Sequence, residues 1–299
     1  MIEQYHNLAS DYILSSNSDA IGIAILDFKK NSFEHFEMFE DLHHPNHEQG
    51  KVFFDLASVT KALVNGFSFI IQDVQDHELE LLVNHRAGLP AWGILEKENW
   101  KEQILSYPIV ESDTLYSDFS ALRYMLEFEK KYHVNIYDVV KKHHHQNIVF
   151  WKDLTDQVTV QNGFYHAKPN IGKVHDPNAY NVEKFTSHAG LFGTIDALAE
   201  TLLKFNQDFN LLDRFQKRSE KRFHLGFDTV ENPQNTLAGA GCSDLTFGHL
   251  GFTGTSFWID PKLSKGHIIL TNATKFYWHD KHHLNIFRRE FGASVWKNQ

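Results

Sequence analysis

The strand-forming segments of this chain lie near its two ends, and that placement limits how it can fold. Residues 21–28 and 33–39 are β-rich runs separated by Lys29-Lys30-Asn31-Ser32, the pattern of a hairpin. Sheet character returns only at residues 245–259 and 266–270, joined through the turn Asp260-Pro261-Lys262. Between them, residues 77–212 mix helix and loop patterns, punctuated by Pro90, Pro108, Pro169 and Pro177. Residues 5–14 carry apolar side chains at helical spacing, residues 60–73 carry the long apolar face of a buried helix, and residues 284–291 close the chain as a helix. The pattern predicts an α/β (α+β) fold with one antiparallel sheet. Residues 1–60 and 240–299 form a discontinuous sheet lobe flanked by helices, and residues 61–239 form a mainly helical inserted lobe. A cleft between lobes is the natural place for a site.

Charge narrows the partners. The 299 residues are 42% hydrophobic, enough for a substantial core, and carry a net charge of -9. Phosphate recognition needs clustered lysine and arginine, so a nucleic-acid surface is excluded and a small-molecule or peptide substrate is expected. The lone cysteine, Cys242, rules out an internal disulfide. The start, Met1 to His6, has no basic leader region, and the early apolar run at residues 20–26 is too short to span a membrane. The expectation is a cytoplasmic protein with no membrane partner, or a periplasmic one if a leader has been removed. The oligomeric state is left open.

The twenty histidines raise the question of a metal, particularly at His43, His44 and His47, at His143-His144-His145, and at His279, His282 and His283. No H-E-x-x-H or paired C-x-x-C accompanies them, and histidines among lysine, aspartate and asparagine read as a solvated face. Neither a metal nor another cofactor is expected.

Chemistry enters at Ser58-Val59-Thr60-Lys61, where a hydroxyl and an amine three residues apart share a helix face. The amine can reach the serine oxygen, and the helix start offers a partial positive charge to a forming oxyanion. Alone, this spacing also describes a helix N-cap followed by a solvated lysine. Tyr116-Ser117-Asp118 adds a phenol able to relay a proton and a carboxylate that reads equally as a helix cap before residues 119–128 or as a site residue. His249-Leu250-Gly251-Phe252-Thr253-Gly254-Thr255 adds glycines inside a strand, a pattern that marks close approach of a ligand.

The order Ser-x-x-Lys, Tyr-x-Asp, His-x-Gly resembles the serine β-lactamase and penicillin-binding protein superfamily. Residues 81–90, Val174 to Ala179, Ser187 to Gly193 and the run from Gly248 to Pro261 extend the likeness to the class C β-lactamase-like branch of esterases, D-peptidases and muropeptide amidases. The resemblance implies that Ser58 is the acylated nucleophile, Lys61 its proton acceptor and Tyr116 a second general base. It implies an oxyanion hole from the backbone amides of Ser58 and Phe252, with Asp118, His249 and Gly251 binding substrate or tuning the site.

Two positions depart from the pattern. Asp118 stands where class C lactamases carry asparagine, and a carboxylate there favours a charged Lys61. His249 stands where many relatives have lysine, and it is largely neutral near pH 7. His175, Asp176 and His188 read as residues that hydrogen-bond loops together. The expected function is a serine hydrolase forming an acyl-enzyme on a small ester, D-amino-acid peptide or muropeptide amide. A weakly turning-over sensor or binding module, a true β-lactamase and a scaffold are the alternatives.

Overall fold

The computed structural model describes residues 2–40, 50–217, 219, 221–276 and 280–297. His43, His44, His47 and His279 lie outside the described residues.

The chain enters through α1 (His6–Ser15) and forms β1 (Ala20–Asp27) and β2 (Ser32–Phe39), antiparallel from Ala20↔Phe39 to Asp27↔Ser32. β3 (Phe54–Asp55) precedes α2 (Val59–Lys61), a π-helical turn (Ala62–Gly66) and α3 (Phe67–Ile71), which run on as one helical segment. The middle of the chain supplies α4 (His77–Val83), α5 (Trp100–Leu105), α6 (Asp118–Tyr132), α7 (Ile136–Lys141), β4 (Ile148–Phe150), and the hairpin of β5 (Gln161–Tyr165) and β6 (Lys168–Ile171). Next come α8 (Pro177–Val182), β7 (Leu191–Gly193), α9 (Ile195–Phe209), α10 (Leu211–Arg214) and β8 (Asp228–Thr229). The last strands are β9 (Phe247–Leu250), β10 (Ser256–Asp260) and β11 (Lys265–Thr271), followed by α11 (His282–Lys297).

The principal sheet has the order β2-β1-β11-β10-β9-β8, with every neighbouring pair antiparallel. The two ends of the chain therefore meet at β1 and β11, in register from Ile21↔Thr271 to Asp27↔Lys265. Alternate residues point to opposite faces of a strand, and here both faces are buried. Ile21, Ile23, Trp258 and Ile269 pack with Tyr12 of α1 and Phe287, Phe291 and Trp296 of α11. Ala24, Leu26, Phe257, Ile268 and Leu270 face the larger core that includes Ile195, Leu198 and Leu202 of α9.

The edge strand β8 comes from residues 228–229, and α9 covers a face of the sheet, although both fall in the span that the sequence reading assigned to the helical lobe. That span also holds a three-stranded sheet in which β7 lies between β3 and β4. Strands of two or three residues are too short to show a two-residue alternation, which is why these were not read from the sequence.

Candidate active site

Ser58 sits at the start of α2, on a turn tied down from three sides. Ala57, just before it, has φ +46, a left-handed conformation costly for a residue with a Cβ. Its N–H donates to Asp55 Oδ1 at 2.8 Å. Asp55 Oδ2 also accepts from the His175 N–H at 2.7 Å and from Asn162 Nδ2 at 3.0 Å. Burial pushes the Asp55 carboxyl up to about 7 against these donated bonds. On another side, the Leu56 N–H donates to Leu191 O at 2.9 Å.

The third tie is the segment after β9. Thr253 Oγ1 donates to Asp55 O at 2.7 Å and Thr255 Oγ1 to Leu56 O at 3.0 Å. A Cβ on Gly251 would stand 2.0 Å from Thr255 Oγ1 and 2.7 Å from Leu56 O. Glycine at 251 is thus required by the backbone that carries Ser58, where the sequence suggested approach of a ligand. The residue lines the adjacent cavity as well.

Lys61, one turn along, is 2% exposed, and its ammonium meets three acceptors. Nζ donates to Ser58 Oγ at 2.9 Å and to His188 O at 2.9 Å, and lies 2.7 Å from Asp118 Oδ1. Three acceptors match the three N–H donors of a protonated lysine. Burial disfavours the charge, but Asp118 and then Tyr116 outweigh it and hold Lys61 above its ordinary value. Asp118 does not cap α6. Ser117 is the N-cap, accepting from the Ser120 N–H at 2.8 Å, which leaves the first residue of the helix to reach Lys61.

Tyr116 completes the group. Lys61 Nζ lies 5.1 Å from its ring centroid, and Tyr116 lines the cavity together with Ser58. Burial raises the phenol above its ordinary value, with Lys61 pulling the other way. The ring is framed by His85 at 4.8 Å, Phe223 at 5.5 Å and His249 at 6.0 Å between centroids.

His249 is buried and neutral: desolvation, aided by nearby Lys61, depresses it to about 3. Nδ1 lies 2.9 Å from Leu250 O, a group that only accepts, so Nδ1 carries the proton and Nε2 presents a lone pair. Among the described residues that lone pair has no hydrogen-bond partner.

Behind Lys61, His188 Nε2 lies 2.9 Å from Asp176 Oδ1, and Asp176 caps α8 through the Ala179 N–H at 2.8 Å. Although burial works against ionisation, His188 and these donated bonds hold Asp176 down to about 2. His175 and Asp176 thus serve the loop-bonding role read from the sequence, and His188 adds a backbone carbonyl for Lys61. Asp118, Asp176 and His188 bring one ligand atom each within 4.8 Å of one another, the geometry of a cation site. The Lys61 ammonium already lies against Asp118, so the chain supplies positive charge there itself. The other histidine cluster diverges: His144 bonds to Leu63 O at 3.1 Å while His145 lies 3.5 Å from Glu200.

Ser58 and Tyr116 open onto a cavity of about 440 Å³ lined also by His249, Gly251 and Phe252. Arg222, Asp228, Lys281 and Arg288 line it too. The sequence reading missed all four, because single charged residues far from any motif give no local signal. Arg222 and Asp228 form a two-pronged pair, with both bonds at 2.7 Å.

No protein-family model matches the chain. One stretch, 35% of the chain, is 30% identical to an N-acetylmuramyl-L-alanine amidase of Bacillus subtilis and covers 28% of that protein. A stretch of the same share is 32% identical to a putative D-alanyl-D-alanine carboxypeptidase of Escherichia coli and covers 29% of it. The match therefore spans less than a third of the length of either relative. The fold is similar to that of an octameric penicillin-binding protein homologue from Pyrococcus abyssi, with a TM-score of 0.67 at 12% identity over 96% of this chain and 76% of that one. It is also similar to a β-lactamase from Mycobacterium bovis, with a TM-score of 0.54 at 15% identity over 96% of this chain and 97% of that one. Among the described residues no helix is long and apolar enough to cross a membrane. The chain therefore shares the fold of these two solved structures, a penicillin-binding protein homologue and a β-lactamase.

Proposed function

We propose that this protein is a serine hydrolase that forms an acyl-enzyme at Ser58 on a peptide amide, a muropeptide amide or a small ester. The observation that carries this reading is the Lys61 ammonium held between Ser58 Oγ at 2.9 Å and Asp118 Oδ1 at 2.7 Å, beside an open cavity. A merely solvated first-turn lysine would have no reason to be buried.

Because Lys61 rests protonated, it gives one proton to Asp118 as it takes the Ser58 proton, and Ser58 Oγ bonds to the substrate carbonyl carbon. The amides of Ser58 and Phe252 receive the oxyanion. Tyr116, kept protonated by burial, gives its proton to the departing nitrogen or oxygen and regains one from Asp118 through Lys61. Water then enters by the same route in reverse. The names of two similar proteins, an amidase and a carboxypeptidase, support ranking amides and peptides above β-lactams.

A fluorophosphonate probe should add its mass at Ser58 in the wild type and fail to do so in Ser58→Ala. Equal labelling of both proteins would overturn the reading. A second reading, a binding module that acylates and turns over slowly, is favoured by the same charged Lys61. A burst of leaving group followed by steady hydrolysis supports the enzyme, and a burst alone supports the module.

A further inference from the structure

Phe223, which lines the cavity beside Ser58, has a left-handed backbone, φ +68, a conformation that a bulky side chain adopts only under constraint. The constraint comes from both sides. On one, Arg222 is fixed by its two-pronged pair with Asp228 of β8, and its guanidinium lies 5.1 Å from the centroid of the Phe223 ring. On the other, His224 and Phe227 exchange backbone hydrogen bonds of 2.9 Å each around Leu225 and Gly226, at φ +51 and φ +83. Two left-handed residues closing a two-residue turn make a tight hairpin.

That hairpin is seated on the helical segment that begins after Ser58. A Cβ on Gly226 would stand 2.8 Å from Gly66 Cα, and one on Gly66 would stand 2.7 Å from the Phe227 ring. Gly66 ends the π-helical turn that follows Lys61, and the Gly226 N–H donates to Asn84 Oδ1 at 3.2 Å. Backbone contact between the hairpin and this turn therefore sets where Phe223 lies relative to Lys61.

The Phe223 ring stacks on Tyr116, with centroids 5.5 Å and planes 21° apart. It also meets His85 edge-on at 4.6 Å, and His85 packs on Tyr116 from its own side at 4.8 Å. His85 is itself tied, its Nδ1 accepting from the Ser117 N–H at 3.3 Å. Tyr116 stands on the loop before α6 and is 37% exposed, so the direction of its ring depends on these neighbours. A stacked ring constrains the plane of a phenol while leaving its hydroxyl to proton transfer.

We propose that Phe223 is a positioning residue for the reaction: its constrained backbone stacks its ring on Tyr116 and so aims the phenol at the departing atom of the substrate. The inference rests on the hydrolase reading of Ser58, in which Tyr116 protonates the leaving group, and its test separates the two.

The probes are p-nitrophenyl acetate, whose leaving group departs unaided as the anion, and p-methoxyphenyl acetate, whose more basic oxygen gains from a proton. Phe223→Ala should lower kcat/KM on the p-methoxyphenyl ester by about tenfold or more and on the p-nitrophenyl ester by less than about threefold. Phe223→Leu, which keeps apolar bulk without a ring, should show the same split, and Phe223→Tyr should restore both rates. An equal fall on both esters in the alanine and leucine variants would overturn the proposal, because general damage to the fold does not sense the leaving group. In a Tyr116→Phe background, adding Phe223→Leu should change the p-methoxyphenyl rate by less than about twofold. A further fall of about tenfold there would mean that Phe223 acts on something other than Tyr116. If neither ester is turned over and fluorophosphonate does not label Ser58, the hydrolase reading fails. The clamp is then read from the ultraviolet titration of the Tyr116 phenol, taken as the difference from Tyr116→Phe. Burial holds that phenol above its ordinary value, so Phe223→Ala should move the titration to lower pH, and an unmoved titration would overturn the clamp.

Discussion

Lys61 and Asp118 form an ion pair of 2.7 Å in which the lysine is 2% and the aspartate 16% exposed in their side chains. The pair joins α2, which begins at the proposed nucleophile Ser58, to the start of α6. It also decides the resting charge of the group beside Ser58 Oγ.

Asp118→Asn should therefore change the shape of the pH dependence as well as the rate. Asp118 is the chief influence raising Lys61 above its ordinary value, so in wild type Lys61 stays protonated through pH 9 and, in the proposed mechanism, passes its proton to Asp118. The variant has no such receiver, and its Lys61 loses a proton at lower pH than in wild type. Hydrolysis of a neutral ester should be flat from about pH 7 to 9 in wild type. In the variant it should be about tenfold or more lower at pH 7 and should climb with pH. A pH–rate profile of both proteins checks this, and parallel profiles would show that the two groups do not communicate.

Gly251→Ala should damage stability and activity together. The new Cβ meets Thr255 Oγ1 and the carbonyl of Leu56, and the second contact is backbone that cannot turn aside. Overpacking of this kind costs about 1–3 kcal/mol. Since Leu56 is two residues before Ser58, the turn that carries Ser58 must shift. Thermal unfolding and the rate of fluorophosphonate labelling are the two readouts, and loss of stability with normal labelling would place the strain elsewhere.

Asp55→Asn tests the knot under Ser58. Burial raises the folded carboxyl to about 7, above its ordinary 3.8, so between those values the folded protein binds the proton more tightly than the unfolded chain. This group's contribution is therefore fully present below about pH 4 and is lost as pH rises through 7, by up to about 4 kcal/mol. Denaturant unfolding from pH 4 to 8 should show wild type losing stability relative to Asp55→Asn over that window. Glu37, also raised by burial to about 7, is common to both proteins and cancels in the difference. A constant difference across the window would contradict the raised value.

Ser117→Ala should cost about 0.5–2 kcal/mol, since it removes the acceptor for the Ser120 N–H and the donor to Pro90 O at 2.6 Å. Loosening the first turn of α6 also frees Asp118. Activity on a neutral ester should fall along with the unfolding midpoint, while Ser106→Ala, at an exposed helix end, should change neither.

Much of the framework was legible because it depends on short-range patterns. Residues 21–28 and 33–39 became β1 and β2, and residues 266–270 became most of β11, because alternation and turn residues act over a few positions. The helical start after Ser58 followed from the apolar face of residues 60–73. The choice between Ser117 and Asp118 as cap was not legible, since both residue types cap helices equally well. Phe223 was invisible for a different reason: its significance lies in the ring it stacks on, which only neighbours in space can reveal.

The same four-residue spacing occurs twice, at Ser58 to Lys61 and at Ser294 to Lys297. In α11, Ser294 Oγ donates to its own helix at Phe291 O, 2.6 Å away, and Lys297 is exposed. At the start of α2 the lysine is buried against Asp118 and His188 and the serine lies beside a cavity. Sequence alone determined that each serine and lysine share a helix face, because helical geometry is local. Only the tertiary structure decided which lysine is buried and held charged next to its serine, because its acceptors come from 57 and 127 positions away.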